Sequence, residues 1–154
     1  MISVQIQDFS VAEIYDTLRK NTPESLGAIA LFVGLVRDFT HTPKLASLHI
    51  ECYPAMVERE LRRLVDRVRQ QFPGIQQIEI IHRIGELSPQ EQIVCVGVSA
   101  THRAQAFSAC EVLIDQLKTT APFWKKEIRT DGTEYWLEHN TPARNASLAE
   151  SALC

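Results

Sequence analysis

Apolar and polar positions alternate along this chain in two periods. Ala28 to Val36 and Ile93 to Ala100 are near-continuous apolar runs, which suits strands covered on both faces. Ser3 to Ile6 alternates like a short strand. Leu45 to Cys52 reads as another, with Leu48 and Ile50 alternating, and Ile78 to Ile84 as a further one before a turn at Gly85. Three segments follow the helical period instead. The first opens on Ser10-Val-Ala-Glu13, a capping-box pattern, and carries Val11, Ile14 and Leu18 on one face. The second starts at Tyr53-Pro54, repeats Met56, Leu61, Leu64, Val65, Val68 and Phe72, and ends at Pro73-Gly74. Its other face, with Glu58, Arg59, Arg62, Arg63, Asp66 and Arg69, reads as a solvated mixed-charge surface. The third spans about His102 to Thr119, with Ala106, Cys110, Leu113 and Leu117 in register and Phe107 and Ile114 widening the stripe.

Loops and turns complete the pattern. Asn21-Thr-Pro-Glu24, the polar stretch Asp38 to Lys44 and Ser88-Pro-Gln-Glu91 break the periodic segments. Lys125 to Ile128 and Thr133 to Leu137 form a hairpin closed by Asp131-Gly132, a strong hairpin signal. The Ala/Ser-rich segment from Asn140 has no period and reads as a disordered tail, so residues 1–139 are the expected domain and 140–154 the tail. Strands and helices mix without strict β-α-β alternation. That order predicts an α+β domain with a largely antiparallel or mixed sheet.

Composition narrows the function classes. At 154 residues the chain suits one domain with a real core. A net charge of −3 argues against a general nucleic-acid binder. The start of the chain lacks the basic and apolar regions of a secretory signal, and no apolar run approaches the ~20 residues of a membrane span. The four cysteines form no C-x-x-C pair, and neither they nor His41 and His49 show metal-ligand spacing. Cys95 and Cys110 fall in apolar patterns and read as small hydrophobes. A reduced, cytoplasmic setting, with no metal, is the expectation.

The chemistry concentrates in Asp115 to Glu127. Lys118 closes the third helix, Pro122 breaks it, and Phe123-Trp124 precede Lys125 and Lys126. Proline removes a helix hydrogen bond and pushes the preceding residue, Ala121, towards extended geometry. The chain therefore bends between Lys118 and Lys125, and a bend can aim both amines into one pocket. Clustered ammonium groups depress one another's pKa, and burial adds to the effect. A lysine tuned in this way serves as acid, base or nucleophile. The plainer alternative is a solvated pair of lysines at a helix C-terminus, where the dipole favours them.

Three more segments carry related chemistry: Gly34-Leu-Val-Arg37-Asp38, Ile81-His-Arg-Ile-Gly-Glu-Leu87, and Val96-Gly-Val-Ser-Ala-Thr-His102-Arg103. His102-Arg103 ends a strand and opens a helix, a ready anion site. Together with Ala121-Pro-Phe-Trp-Lys125, in this order, these segments resemble the large, catalytic subunit of molybdopterin synthase, the MoaE family, from about Phe9 to about Glu138.

The resemblance implies an α/β hammerhead fold with an added small antiparallel β subdomain. It implies a cytoplasmic homodimer with a ubiquitin-like small subunit at each end, a heterotetramer. It implies a sulfurtransferase that takes sulfur from the small subunit's C-terminal thiocarboxylate. The sulfur goes to cyclic pyranopterin monophosphate and forms the molybdopterin dithiolene of the molybdenum cofactor. No resident cofactor is expected, and neither nucleic acid nor membrane. Lys118 and Lys125 match the family's essential lysines and are the expected catalytic pair, with their individual roles left open. Arg37, His102, Arg103, Lys126 and Glu127 join them as expected substrate-binding residues, Glu127 either fixing a lysine or lying at the surface. Trp124 is expected to pack and shape the pocket, and His82 and Arg83 to be structural. Leu35 stands where the family often has a polar or basic residue, so any substrate contact there falls to the backbone. Two other readings compete: an adaptor that docks the small protein without acting on a pterin, and a phosphate or RNA binder, which the acidic charge disfavours.

Overall fold

The computed structural model describes residues 1–20, 24–38 and 43–137. The expected tail from Asn140, and residues 39–42 of the polar loop after Arg37, lie outside the described residues. Among the described residues, two four-stranded sheets organise the fold. The strands are β1 (Ile2–Gln5), β2 (Ala28–Leu35), β3 (Leu45–Cys52), β4 (Ile75–Arg83), β5 (Gly85–Leu87), β6 (Gln92–Ala100), β7 (Phe123–Arg129) and β8 (Glu134–Leu137). The helices are α1 (Val11–Arg19), α2 (Pro54–Gln71) and α3 (Arg103–Thr120).

The first sheet runs β1-β4-β6-β2 and is antiparallel except for the parallel β1–β4 pair. The second runs β5-β3-β7-β8 and is antiparallel throughout. This is the α+β class that the element order predicted, with a smaller antiparallel sheet beside the main one.

Alternation along the central strands explains the layers. On one face, Val94, Val96, Val98 and Ala100 of β6 join Ile78 and Ile80 of β4 against α2 and α3. On the other, Cys95 and Ile81 meet Ile14 and Leu18 of α1. Ser10 caps α1 by accepting from the Glu13 N–H at 3.3 Å, one half of the predicted box. Pro54 at the first position of α2 gives up a donor that the helix start leaves unused. Gly97 lets α1 lie close to the sheet: a Cβ there would come within 2.6 Å of Leu18 Cδ1 and 2.9 Å of Leu31 Cδ2.

Several boundaries differ from the periodic reading. In α2 the buried stripe is Val57, Leu61, Leu64 and Val68, while Met56 is exposed. In α3, Ala106 and Ala109 reach the core and Phe107 lies 67% exposed, because small residues let the helix approach the sheet. β4 starts at Ile75 rather than Ile78, because backbone pairing with Ala100 and Ser99, across a register shift, takes in the polar Gln76-Gln77 stretch. Gly85 is not only a turn: with φ of 89° it carries the chain from β4 in the first sheet straight into β5 in the second. β7 starts at Phe123, so the aromatic pair is part of the strand.

Leu45, Leu48, Ile50, Leu87 and Val36 form the core of the second sheet, and Phe123 packs against this cluster and the main one. Among the described residues no helix is long and apolar enough to cross a membrane, and no group of His, Cys, Asp or Glu is placed to hold a metal ion.

The close seat of α1 gives a direct test. Gly97→Ala should lower unfolding free energy by about 1–3 kcal/mol, the range for overpacking a filled core. Urea denaturation measures it, and a change below about 0.5 kcal/mol would show that α1 does not pack here as described.

Candidate functional site

The site begins where α3 stops. Its last residue is Thr120, and Ala121 takes φ −81° and ψ 122°, the extended geometry that the following proline imposes. The Ala121 N–H still donates to Leu117 O at 3.3 Å, and the Phe123 N–H donates to Ala121 O at 2.9 Å. The chain then enters β7, where Phe123 lies opposite Cys52, Trp124 opposite Glu51 and Lys125 opposite Ile50. Successive strand residues face opposite sides. Phe123, Lys125 and Glu127 therefore share one face, and Trp124 and Lys126 the other.

On the first face the Phe123 ring stacks on His82 of β4, with centroids 3.8 Å apart and planes 13° apart. Lys125, two residues further, is half-buried over this floor. Its pKa is held below the ordinary 10.5, first by loss of solvent and then by the charge of Lys118. Lys118 is half-buried in the last turn of α3. The bend thus brings the two amines into electrostatic contact, as the lysine–proline–lysine spacing predicted.

His82 is 2% exposed. Burial drives its pKa down to about 3; the hydrogen bond between Nδ1 and Arg83 O, at 2.7 Å, opposes this, and Lys125 adds to it. The imidazole is therefore neutral at physiological pH. The neutral ring donates from Nδ1 to that carbonyl, since a carbonyl oxygen cannot donate. Arg83 is structural, with its guanidinium donating to Ile6 O, Asp8, Glu91 and Gln92 O. Cys95 and Cys110 are buried thiols, both pushed up to about 11 chiefly by loss of solvent. They pack as the small hydrophobes expected of them.

The other expected site residues do not all gather here. Lys126 is turned away from Lys125 by the strand pleat. Its Nζ donates to Glu134 Oε2 at 2.8 Å and lies 5.5 Å from the Trp136 ring centre. Glu127 shares the Lys125 face, but its carboxylate accepts from Arg129. Arg37 is exposed two residues beyond β2. It leaves the end of the first sheet where Gly34, Val94 and His82 lie in a row across β2, β6 and β4. Leu35 is 42% exposed.

His102 caps the other end of α3, without a side-chain cap bond, and Arg103 is the first helical residue. Arg103 and Lys118 are 15 residues apart, roughly 22 Å along a helix. One chain therefore holds its His-Arg pair and its lysine pair at opposite ends of α3, although the resemblance implied that both bind one substrate.

A cavity of about 430 Å³ opens on the Trp124 face, lined by Glu51, Cys52, Tyr53, Trp124 and Trp136. Tyr53 and Trp124 meet edge to face, with centroids 5.7 Å apart. Trp124 does shape a pocket, but not the one holding Lys125. The sequence reading missed this cavity because its walls come from three separated segments. The available signal was an aromatic residue on each of two paired strands, beside Tyr53 at a strand end.

Comparison with known proteins gives one consistent result. The family described as MoaE protein matches residues 4–120. The molybdopterin synthase catalytic subunit of Vibrio cholerae is 44% identical over 137 residues, 89% of this chain and 89% of that protein. The structure of molybdopterin synthase from Staphylococcus aureus superposes with a TM-score of 0.82 at 32% identity, covering 90% of this chain and 97% of that one. A MoaE protein from Burkholderia ambifaria gives 0.79 at 41% identity, covering 97% and 95%.

The buried imidazole predicts a pH dependence. The folded ring stays neutral down to about pH 3, whereas an unfolded histidine takes up a proton near 6.5. The unfolded state thus binds more protons between these values. Stability is complete above pH 6.5 and falls on acidification, by up to about 1.4 kcal/mol per pH unit. Urea unfolding between pH 7 and 5 should show this loss in the native chain and a smaller one in His82→Gln. Equal slopes would remove His82 as the cause.

Proposed function

The chain belongs to the MoaE family, and from that premise we propose that it is the catalytic subunit of a molybdopterin synthase. It transfers sulfur from the C-terminal thiocarboxylate of a ubiquitin-like small subunit to cyclic pyranopterin monophosphate, building the dithiolene of molybdopterin. The observation that carries this reading is the electrostatic contact between Lys118 and Lys125 across the Pro122 bend, with the Lys125 pKa depressed.

The reaction needs a cation near the thiocarboxylate carbonyl, a group that gives and takes protons during ring opening and sulfur addition, and cations for the cyclic phosphate. Lys118 supplies the first. Lys125 supplies the second, because a lowered pKa increases the neutral fraction near physiological pH. Arg37, exposed beyond the end of β2, supplies a cation for the phosphate. Chemistry of this kind uses no resident cofactor, since the sulfur arrives on the partner and the pterin is the substrate. Cytoplasmic placement fits a partner and a substrate of this type.

The length of α3 supports assembly as a homodimer, with a small subunit on each chain. His102 and Arg103 serve the substrate only if a second copy brings them to the lysine pair. Glu127 acts through Arg129, and Lys126 acts on the opposite face of β7.

The test supplies thiocarboxylated small subunit and cyclic pyranopterin monophosphate and follows molybdopterin through the fluorescence of its oxidised derivative. Native protein should turn over, and Lys118→Ala and Lys125→Ala should each lose about a hundredfold or more. Co-expressed Lys118→Ala and Arg103→Ala chains should recover activity, because one site of each mixed dimer is intact. Normal turnover in both lysine variants would overturn the assignment. Stable binding of the small subunit without any product would favour the adaptor reading, and no recovery in the mixture would contradict a shared site.

A further inference from the structure

The cavity on the Trp124 face has walls and charges that the lysine pair does not use. Its volume of about 430 Å³ lies within the range of small-molecule sites. Trp124 and Trp136 come from neighbouring strands of one sheet, and Tyr53 braces Trp124 edge to face. These aromatic groups remain largely exposed, Tyr53 at 69%, Trp124 at 46% and Trp136 at 53%. Glu51 adds a carboxylate to the lining. His49 Nε2 lies 3.1 Å from Glu51 Oε1 and orients it. A carboxylate has about four acceptor positions, so this contact leaves capacity for a ligand.

Aromatic walls beside a carboxylate suit two kinds of guest: an organic cation, or a flat neutral ring with paired N–H donors on one edge. Lys126 decides between them. Its ammonium, paired with Glu134 Oε2 at 2.8 Å, already lies 5.5 Å from the Trp136 ring centre and holds the place that a second cation would take over that ring. A neutral ring does not compete for that place, and the Lys126 N–H donors that Glu134 leaves unused can meet an anionic substituent on the ring. The edge that matches a carboxylate is an amino group beside a ring N–H, two parallel donors to two oxygens. The 2-amino-4-oxopyrimidine edge of a pterin has this arrangement.

We propose that the cavity formed by Glu51, Cys52, Tyr53, Trp124 and Trp136 binds the aminopyrimidinone ring of a pterin. The ring lies against the tryptophans, its donor edge meets Glu51, and its anionic end is turned towards Lys126. The choice of pterin over another ring with the same edge rests on the molybdopterin synthase reading. Lys125 projects from the opposite face of β7, so a ring in the cavity is not at the lysine pair. The cavity is a holding site, distinct from the place of sulfur transfer.

The experiment titrates the chain with 2-amino-4-oxopteridine and follows tryptophan fluorescence. The chain has two tryptophans, and both line the cavity. Saturable quenching is expected, weakened at least tenfold in Glu51→Gln and unchanged in Lys125→Met. The 2,4-dioxo analogue, which replaces the amino donor with an acceptor, should bind at least tenfold more weakly. N-methylguanidinium should not compete. Absence of saturation, equal binding of the two pteridines, no effect of Glu51→Gln, loss in Lys125→Met or competition by the cation would each overturn the proposal. Turnover with the small subunit is a separate readout. Turnover without this binding removes only the holding site, and binding without turnover removes the sulfur-transfer reading.

Discussion

The site depends on one broken helix. Pro122 has no N–H to continue α3 and forces Ala121 into extended geometry. Without that break Lys118 and Lys125 would be carried along a common helix axis, each facing solvent or core as its phase required. With it, Lys118 lies in the last turn of the helix and Lys125 in a strand of the second sheet, and their charges interact. Two like charges in partial burial are unfavourable, and the fold tolerates them because the elements on either side are fixed by apolar packing. Leu113 and Leu117 hold the end of α3, and Ile50 and Leu48 hold the strand beside β7.

Sheet-to-sheet contact gives this bend its rigidity. Phe123 belongs to β7 yet packs against both the main core and the core of the second sheet. Its stack on His82 ties β7 to β4, and the imidazole is fixed in turn by the Arg83 carbonyl. The same arrangement dries the floor beneath Lys125, which is the larger cause of its lowered pKa. Gly85 makes the geometry possible from the other side, since a positive φ there allows one continuous stretch of chain to serve both sheets. Packing, protonation and position at the site are therefore consequences of the same few contacts.

Much of this was legible in the amino-acid order. The Pro122 bend, the Asp131-Gly132 hairpin and the strand Leu45–Cys52 followed from local rules, because φ restriction and turn chemistry act within a few residues. The structural roles of His82 and Arg83 were also foreseen. What escaped was set by tertiary arrangement. Lys125 and Lys126 alternate on the expected strand, and only the tertiary arrangement shows which of the two faces meets Lys118. His102-Arg103 and Lys118 share a helix, and only its full length shows how far apart they are. The cavity draws on β3, the start of α2, β7 and β8, and no local pattern joins Glu51, Tyr53 and Trp136. Phe107 looked like core because periodicity counts apolar residues, but the closer approach of Ala106 and Ala109 left it outside.

The central claim is that the bend couples the charges of Lys118 and Lys125. Titration of the Lys125 amine by NMR, with lysine labelled at Cε and Nζ, tests it most directly. The account predicts a pKa below 10.5 in the native chain. In Lys118→Met it should rise while remaining below the ordinary value, since loss of solvent persists. A native value at 10.5, or one unmoved by removing Lys118, would contradict the claim.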